Sequence, residues 1–244
     1  MNRSIVKTAF LVLLLAGLVA ACDDEPRSVR TETRTVAPEE AKSVEVDLRM
    51  GAGELRLSGA AQDALLEATF RYNRDRLRPE VDYRVSGGTG ILRVGTRRHS
   101  GIHFGNIRND WDLRLAKSLP VELAVNLGAG QSRLDLRGFD LSGVDIDMGV
   151  GEMTLDISGP HARSFRVKID GGVGSGTLYL PADVGVRARI DGGLGSIHTH
   201  GLTRAGKYYT NDAYGKSPVT VDIEIDAGIG SLDLRVEPGD RTKI

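Results

Sequence analysis

A glycine-rich stretch recurs along the second half of this 244-residue chain, as "DGGVGSGTLYL" from Asp170, "DGGLGSIHTH" from Asp191 and "DAGIGSLDLR" from Asp226. The Gly-x-Gly triplets that repeat in this half are Gly128 and Gly130, Gly149 and Gly151, Gly172 and Gly174, Gly193 and Gly195, and Gly228 and Gly230. Successive triplets start 21, 23, 21 and 35 residues apart, and the last step contains an insertion. A nearly constant period of this length is typical of folds built from stacked repeats.

Apolar and polar residues alternate on both sides of each triplet, which predicts half-buried strands. Around Gly149 and Gly151 the apolar positions are Val144, Ile146, Met148, Met153, Leu155 and Ile157. Each repeat is therefore predicted to be two short strands joined at a glycine corner. Because one such unit cannot bury its apolar row alone, we predict an all-β fold, a β-solenoid of stacked parallel coils of about 21–23 residues. A β-sandwich of meandering hairpins is the alternative.

The N-terminus has the features of a secretion signal. Arg3 and Lys7 precede an apolar run over 9–18 that is too short for a full membrane span, and small residues lead to Cys22, the one cysteine of the chain. The segment "LVAAC" resembles the lipobox of bacterial lipoproteins, which implies that Cys22 is lipidated and becomes the first mature residue. An ordinary signal peptide with a free thiol is the alternative. Acylation at Cys22 would anchor the protein to a membrane that it does not span.

This predicts five parts: a lipoprotein signal peptide (1–21), a lipidated cysteine with a flexible polar tether (22–43), an N-terminal β subdomain (44–118), the repeated β-solenoid (119–238) and a tail (239–244). Asp23 resembles an inner-membrane retention signal, so the predicted location is the bacterial cell envelope, with the folded body outside the cytoplasm. Removing Arg3 and Lys7 with the signal lowers the 32 basic residues to 30 against 33 acidic ones, a formal charge of −3. Nothing in this balance indicates nucleic-acid binding.

The glycine motif does not fit a nucleotide or calcium-repeat signature. A dinucleotide fingerprint needs a helix after its glycines, whereas strands follow here. A toxin-type calcium repeat has a nine-residue period with an aspartate where Gly176 and Ile197 stand. "TNDAYGKS" has the end of a phosphate loop but carries Thr210 in place of its first glycine. We interpret the motif as a turn.

A short polar residue lies two positions before the first glycine of every triplet, namely Asn126, Asp147, Asp170, Asp191 and Asp226. Each can accept the backbone N–H two residues on, as in an Asx-turn, and the glycines supply backbone angles that other residues avoid. We assign these residues and the triplet glycines a turn-forming structural role. As an alternative, the acids stack about 4.8 Å apart on adjacent coils and share a calcium ion.

Other candidate sites are few, and we predict no catalytic residues, no metal site and no cofactor, hence no enzyme. His198 and His200 alternate on one strand face, as a zinc pair would, but solvated histidines are the alternative. The insertion carries Tyr208, Tyr209 and Tyr214, which are candidate partner contacts or a cap on the open end of the solenoid. A loop with His103 and Phe104 is a second contact candidate.

Several segments resemble the toast-rack family, which is related to the C-terminal domain of LiaF-like cell-wall-stress proteins. They include "GAGELRLSGAA", "WDLRLAKSLPVELAVNLGAGQSRLDLRG", "GVGEMTLDISG", "LPADVGVRARIDGGLGS" and "YYTNDAYGKSPVTVDIEIDAGIGSLDL", and the resemblance covers about 44–238. It implies a stacked β fold and regulation of envelope stress through partner proteins, with no catalytic residues to carry over. LiaF-like members have transmembrane helices, whereas this chain has a predicted lipid anchor at Cys22.

The function we expect is that of a lipid-anchored, non-enzymatic envelope protein that binds a membrane or periplasmic protein in envelope-stress sensing. Self-association is also possible on this view. A surface module for glycan binding or adhesion is the first alternative, and a hydrolase or lyase on a β-helix is the second.

Overall fold

The computed structural model describes residues 28–59, 64–96 and 107–238, and these are nearly all β-strand. The strands are β1 (Arg30–Val36), β2 (Ser43–Gly59), β3 (Leu66–Tyr72), β4 (Pro79–Ser86), β5 (Thr89–Thr96), β6 (Asn109–Leu115), β7 (Pro120–Asp135), β8 (Asp140–Asp156), β9 (Phe165–Pro181), β10 (Gly185–His200), β11 (Thr203–Ala205), β12 (Tyr208–Thr210) and β13 (Thr220–Glu237). A single 3-10 turn, Asp75–Leu77, is the helical structure within these ranges. All thirteen strands belong to one mixed sheet.

The long strands β2, β7, β8, β9, β13 and β10 are the coils of the solenoid. Each is bent at its Gly-x-Gly corner into a first arm and a second arm, and neighbouring coils pair in parallel with their corners aligned. The apolar rows of both arms are buried in one continuous core, as Val167 and Leu178 illustrate for the two arms of β9. The predicted all-β, solenoid-like stacking is confirmed, because neighbouring coils are parallel and not meandering hairpins.

At the N-terminal end of the stack, further strands pair with each arm of the last coil. The first arm of β2 pairs with β5 and its second arm with β6. Antiparallel strands then cover these two, β4 on β5 and β3 on β6, and β1 covers β3. Phe70 and Trp111 are fully buried here, edge to face with ring centroids 5.5 Å apart. The predicted boundary near residue 118 falls between β6 and β7, whereas β2 lies inside the stack.

The predicted tether is wrong over residues 30–36, which form β1. This strand pairs with β3 along its whole length. Its first half is also held by side chains, since Tyr72 donates a hydrogen bond to Glu32 and Arg30 Nη1 donates to Asp75 Oδ1 at 2.6 Å. The polar composition of this segment suggested a linker because an edge strand that is exposed on both faces is equally polar. The alternating Thr31, Thr33 and Thr35, by contrast, favour a strand.

The coils are not stacked in chain order, because β13 lies between β9 and β10. Charge complementarity along the first arms favours this order. Asp222 of β13 lies in register between Arg166 and Arg187, and Glu224 likewise separates Lys168 from Arg189. If β10 lay directly on β9 in the same register, basic residues would face each other across the strands, which is unfavourable. The insertion over 201–219 returns the chain so that an acidic arm fills the gap.

Candidate functional site

The stacked glycine corners bring neighbouring coils too close for side chains. A Cβ on Gly130 would lie 1.9 Å from the carbonyl oxygen of Gly53, and one on Gly151 would lie 1.8 Å from that of Gly130. Both glycines also have positive φ, 134° and 145°. A Cβ on Gly172 would lie 2.2 Å from the carbonyl oxygen of Gly149. Backbone proximity between coils therefore requires glycine at the corners, in addition to any local turn preference.

The polar residues before the corners form a column in register: Asn126, Asp147, Asp170, Asp226 and Asp191. Among the described residues, four of the five have side-chain partners, and none is seen to accept the backbone N–H two residues on, as an Asx-turn would require. Asn126 Nδ2 donates to Asp147 Oδ2 at 3.0 Å, Lys168 Nζ to Asp170 Oδ2 at 2.6 Å, and Arg189 pairs with Asp191 at 2.5 Å. The hydrogen bond to Asp170 raises the pKa of Lys168.

The part of the chain that the structure describes contains no preformed metal site. Within 28–59, 64–96 and 107–238, no three side chains of His, Cys, Asp or Glu are grouped so that they could hold an ion. His200 Nε2 lies 3.6 Å from Asp233 Oδ1, and His198 is in register with the same aspartate. The acids of the corner column are instead neutralised in part by Lys168 and Arg189.

An exposed apolar ridge follows the corners of the C-terminal half of the stack. The middle residues of the triplets are aligned, and they change along the stack from Ala52 and Ala129 to Val150, Val173 and Ile229. The last three are 54%, 49% and 56% exposed. Ile197, on the second arm of β10, is 45% exposed beside them. We call Val150, Val173, Ile197 and Ile229 the C-terminal corner surface. Sequence analysis missed it, although the change from alanine to larger residues inside the triplets was visible.

An apolar cavity of about 110 Å³ opens at the same corner. It arises where the coil sequences change size. The inward residue just before the corner is Met50, Leu127 and Met148 in β2, β7 and β8, but Gly171, Ala227 and Gly192 in β9, β13 and β10. After the corner, Gly176 replaces Met153. The lining consists of apolar side chains, glycine backbone and the hydroxyls of Ser175, Ser196 and Ser231, with no charged side chain.

The tyrosine-rich insertion lies against the first arm of β10. There β12 pairs antiparallel with residues 187–189, and β11 pairs with β12. Tyr209 packs against the core, while Tyr208 lies under the guanidinium of Arg187, 5.0 Å from the ring centroid. Asn211 fixes the return of the chain, since its Nδ2 donates to the Val184 carbonyl and its Oδ1 accepts from the Val186 N–H, both at 2.8 Å. This placement favours the cap interpretation for Tyr208 and Tyr209, whereas Tyr214 is at the surface.

The second arm of β10 is an open edge. Residues 196–200 pair with β13 on one side, and no other described strand pairs with them. His198 and His200 point outward from this arm and are exposed, whereas Ile197 and Thr199 continue the inward row in register with Leu232 and Leu234.

Two sets of candidate residues lie outside the described residues: Cys22 with Asp23, and His103 with Phe104. Lipidation at Cys22 therefore stays a prediction. Among residues 28–59, 64–96 and 107–238, no helix has the length and apolar character needed to cross a membrane.

Taken together, the aligned glycine corners, the parallel bent coils and the core between the arms define a parallel β-solenoid. The family model for the N-terminal domain of toast_rack, DUF2154, matches residues 25–179. The chain belongs to this toast-rack family, as its resemblance in sequence predicted. No curated protein matches the chain.

One solved structure agrees with this fold. A protein from Clostridium sporogenes, provisionally described as a cell adhesion protein, is similar with 30% identity and a TM-score of 0.80, over 86% of this chain and 100% of that chain. A provisionally described adhesin from Bacteroides fragilis has 11% identity and a TM-score of 0.28, covering 85% of this chain and 97% of its own. A provisionally described lipid binding protein from Parabacteroides distasonis has 8% identity and a TM-score of 0.25, covering 84% and 96%.

Proposed function

We propose that this protein is a non-enzymatic protein of the bacterial cell envelope, lipid-anchored through Cys22, that binds a membrane or periplasmic protein. The C-terminal corner surface carries the proposal. Its four exposed apolar side chains lie on four consecutive coils, β8, β9, β13 and β10, whereas most inward apolar residues of these strands are buried. Clustered exposed apolar residues on a soluble body mark interaction sites, while single ones do not.

The setting of this surface also suits a protein partner. The ridge is flanked on one side by the hydroxyls of Ser175, Ser196 and Ser231 and on the other by the acidic column of the corners. An apolar centre with a polar rim is the usual anatomy of a protein interface. Membership of the toast-rack family is consistent with an envelope protein, and envelope-stress sensing is the task that the LiaF-like relationship suggests.

The test is photo-crosslinking in living cells with the full, lipidated chain. A photo-reactive residue at Val173 would be compared with one at Arg133, an exposed position on the second arm of β7. We expect one envelope protein to be captured from Val173 and not from Arg133, and the capture to weaken in Cys22→Ser. Equal capture from both positions, or none from Val173, would contradict partner binding at this surface.

Cell adhesion is a second candidate, favoured by the similarity to the Clostridium sporogenes protein. On this view the protein binds a glycan or another surface component. Isolated cell wall would then retain the purified chain, and no stoichiometric protein would be captured from Val173. Turnover in a panel of polysaccharide substrates would contradict both candidates.

A further inference from the structure

The stack has four arm ends, two at each end of the molecule, and three of them are covered in the same way. At the N-terminal end, β4 covers β5 and β3 covers β6. At the C-terminal end, β12 covers the first arm of β10. Each cover is an antiparallel strand. The fourth arm end, residues 196–200 of β10, has no such cover within the described parts of the chain.

The uncovered arm also lacks the features that protect an edge from pairing. Free edges of sheets are usually shielded by charged residues, proline or bulges. The outermost strands follow this rule: β1 carries Arg30, Glu32 and Arg34, β4 begins with Pro79 and carries three charges, and β11 carries Arg204. By contrast, the open arm reads "SIHTH", without an acidic residue, lysine, arginine or proline. It pairs with β13 without a register shift, so no bulge turns the edge away.

Each existing cover brings a large side chain onto the core. Phe70 and Tyr72 of β3 are fully buried, Tyr83 of β4 packs against the core, and so does Tyr209 of β12. At the open arm the equivalent space is unfilled: Ile197 is 45% exposed, and the apolar cavity reaches it through Gly192 and Ile190.

We propose that the second arm of β10 accepts an extended segment of a partner protein as an antiparallel strand, with a large apolar or aromatic side chain over Ile197. This inference rests on the proposed function and specifies how the partner is held. Backbone hydrogen bonds along residues 196–200 would supply affinity, and the side chain at the cavity would supply selectivity, as in other cases of strand addition.

A second copy of this chain fits the arm less well. If two such arms paired antiparallel around His198, Thr199 of one copy would face Ile197 of the other. The inward row of the open arm carries Ile197 and Thr199 and no ring side chain, so this pairing would leave the cavity unfilled. A segment with an aromatic residue, such as the cover strand β3 itself, matches the site better.

The probe is a fluorescently labelled synthetic peptide with the sequence of β3, "LEATFRY", titrated with the full-length chain and followed by fluorescence polarisation. We expect saturable binding that weakens about tenfold or more in Ile197→Lys, because a lysine would place a charge at the apolar edge. Val29→Lys is the matched control, since it adds the same charge at an apolar residue of similar exposure, 47% against 45%, at the other end of the stack, and it should change the affinity less than about twofold. A peptide in which serine replaces the phenylalanine should also bind about tenfold more weakly.

The outcomes separate this proposal from the proposed function. Equal weakening by Ile197→Lys and Val29→Lys, or no binding at all, would overturn strand addition while leaving in-cell capture from Val173 as an independent result. Concentration-dependent dimers that Ile197→Lys disrupts would show that a second copy occupies the arm. Binding that appears only after deletion of residues 239–244 would assign the arm to the chain's own end. Peptide binding without in-cell capture would support strand addition at the second arm of β10 and contradict the proposed function.

Discussion

The two ends of the stack differ in how completely they are closed. At the N-terminal end both arms of the last coil are covered, and Trp111, Phe70 and Tyr72 are fully buried beneath the covers. At the C-terminal end the hairpin of β11 and β12 covers one arm and leaves Ile197 on the other exposed. The same repeat therefore has one end built for stability and one end that retains apolar surface, which is where we place binding.

The largest expected effect comes from truncating a core residue at the N-terminal end and comparing it with an exposed residue at the C-terminal end. Trp111→Ala should lower the free energy of unfolding by about 3–5 kcal/mol, because it removes a fully buried aromatic side chain and its contact with Phe70. Ile197→Ala should cost less than about 0.5 kcal/mol, since this side chain is half exposed. Urea unfolding of both variants measures the difference, and similar losses would contradict the contrast between the ends.

Two adjacent glycines offer a sharper test of the C-terminal corner. Gly171 has no atom within 4 Å of an added Cβ, so Gly171→Met should place a side chain in the cavity, in register with Met148, and raise stability by about 1 kcal/mol. The matched change Gly172→Met would drive Cβ against the carbonyl oxygen of Gly149 and should cost about 3 kcal/mol or more. Thermal unfolding distinguishes them, and a loss of stability in Gly171→Met would show that the cavity cannot accept a side chain.

The sequence predicted the coils well because their signals are local. Alternation around each triplet defines the arms, and the aligned glycines define the corners. The strand order could not be predicted from spacing, because the contacts that distinguish it, such as Arg187 with Asp222, join strands that are distant in the chain. The corner surface was missed for a related reason: Val173 looks like any apolar residue of a strand until the bend turns it outward.

Charge inversion tests whether cross-strand pairing sets the order of the C-terminal coils. Asp222→Lys would place a lysine between Arg166 and Arg187 and remove a hydrogen bond of 2.6 Å, so we expect a loss of about 1 kcal/mol, limited by solvent screening. Glu122→Lys is the control in the N-terminal half. Glu122 faces Glu45 across the strands, so this inversion should be neutral or slightly stabilising. The stability losses of the two variants are compared at low and at high salt. Equal losses in Asp222→Lys and Glu122→Lys would argue against the charge explanation.

The smallest effect concerns His161, which lies in the connection between β8 and β9. Between these two coils the inward residue before the corner changes from a large one to glycine. Its Nε2 lies 2.8 Å from the Ile157 carbonyl oxygen, and its ring packs edge to face on Phe165, with centroids 4.9 Å apart. Nδ1 is buried without a partner among the described residues, so a proton there would gain no acceptor.

Burial lowers the pKa of His161 below its ordinary value of 6.5, and the hydrogen bond to Ile157 opposes this only in part. The unfolded chain therefore takes up the proton first as the pH falls. The stability contribution of His161 should be complete above pH 6.5 and decline as the pH drops from there through the folded pKa. His161→Gln keeps a donor for Ile157 but does not titrate, so the stability difference between wild type and variant should shrink between pH 8 and pH 5. A difference that stays constant over this range would show that His161 is not protonated on unfolding and that it stabilises the fold through packing alone.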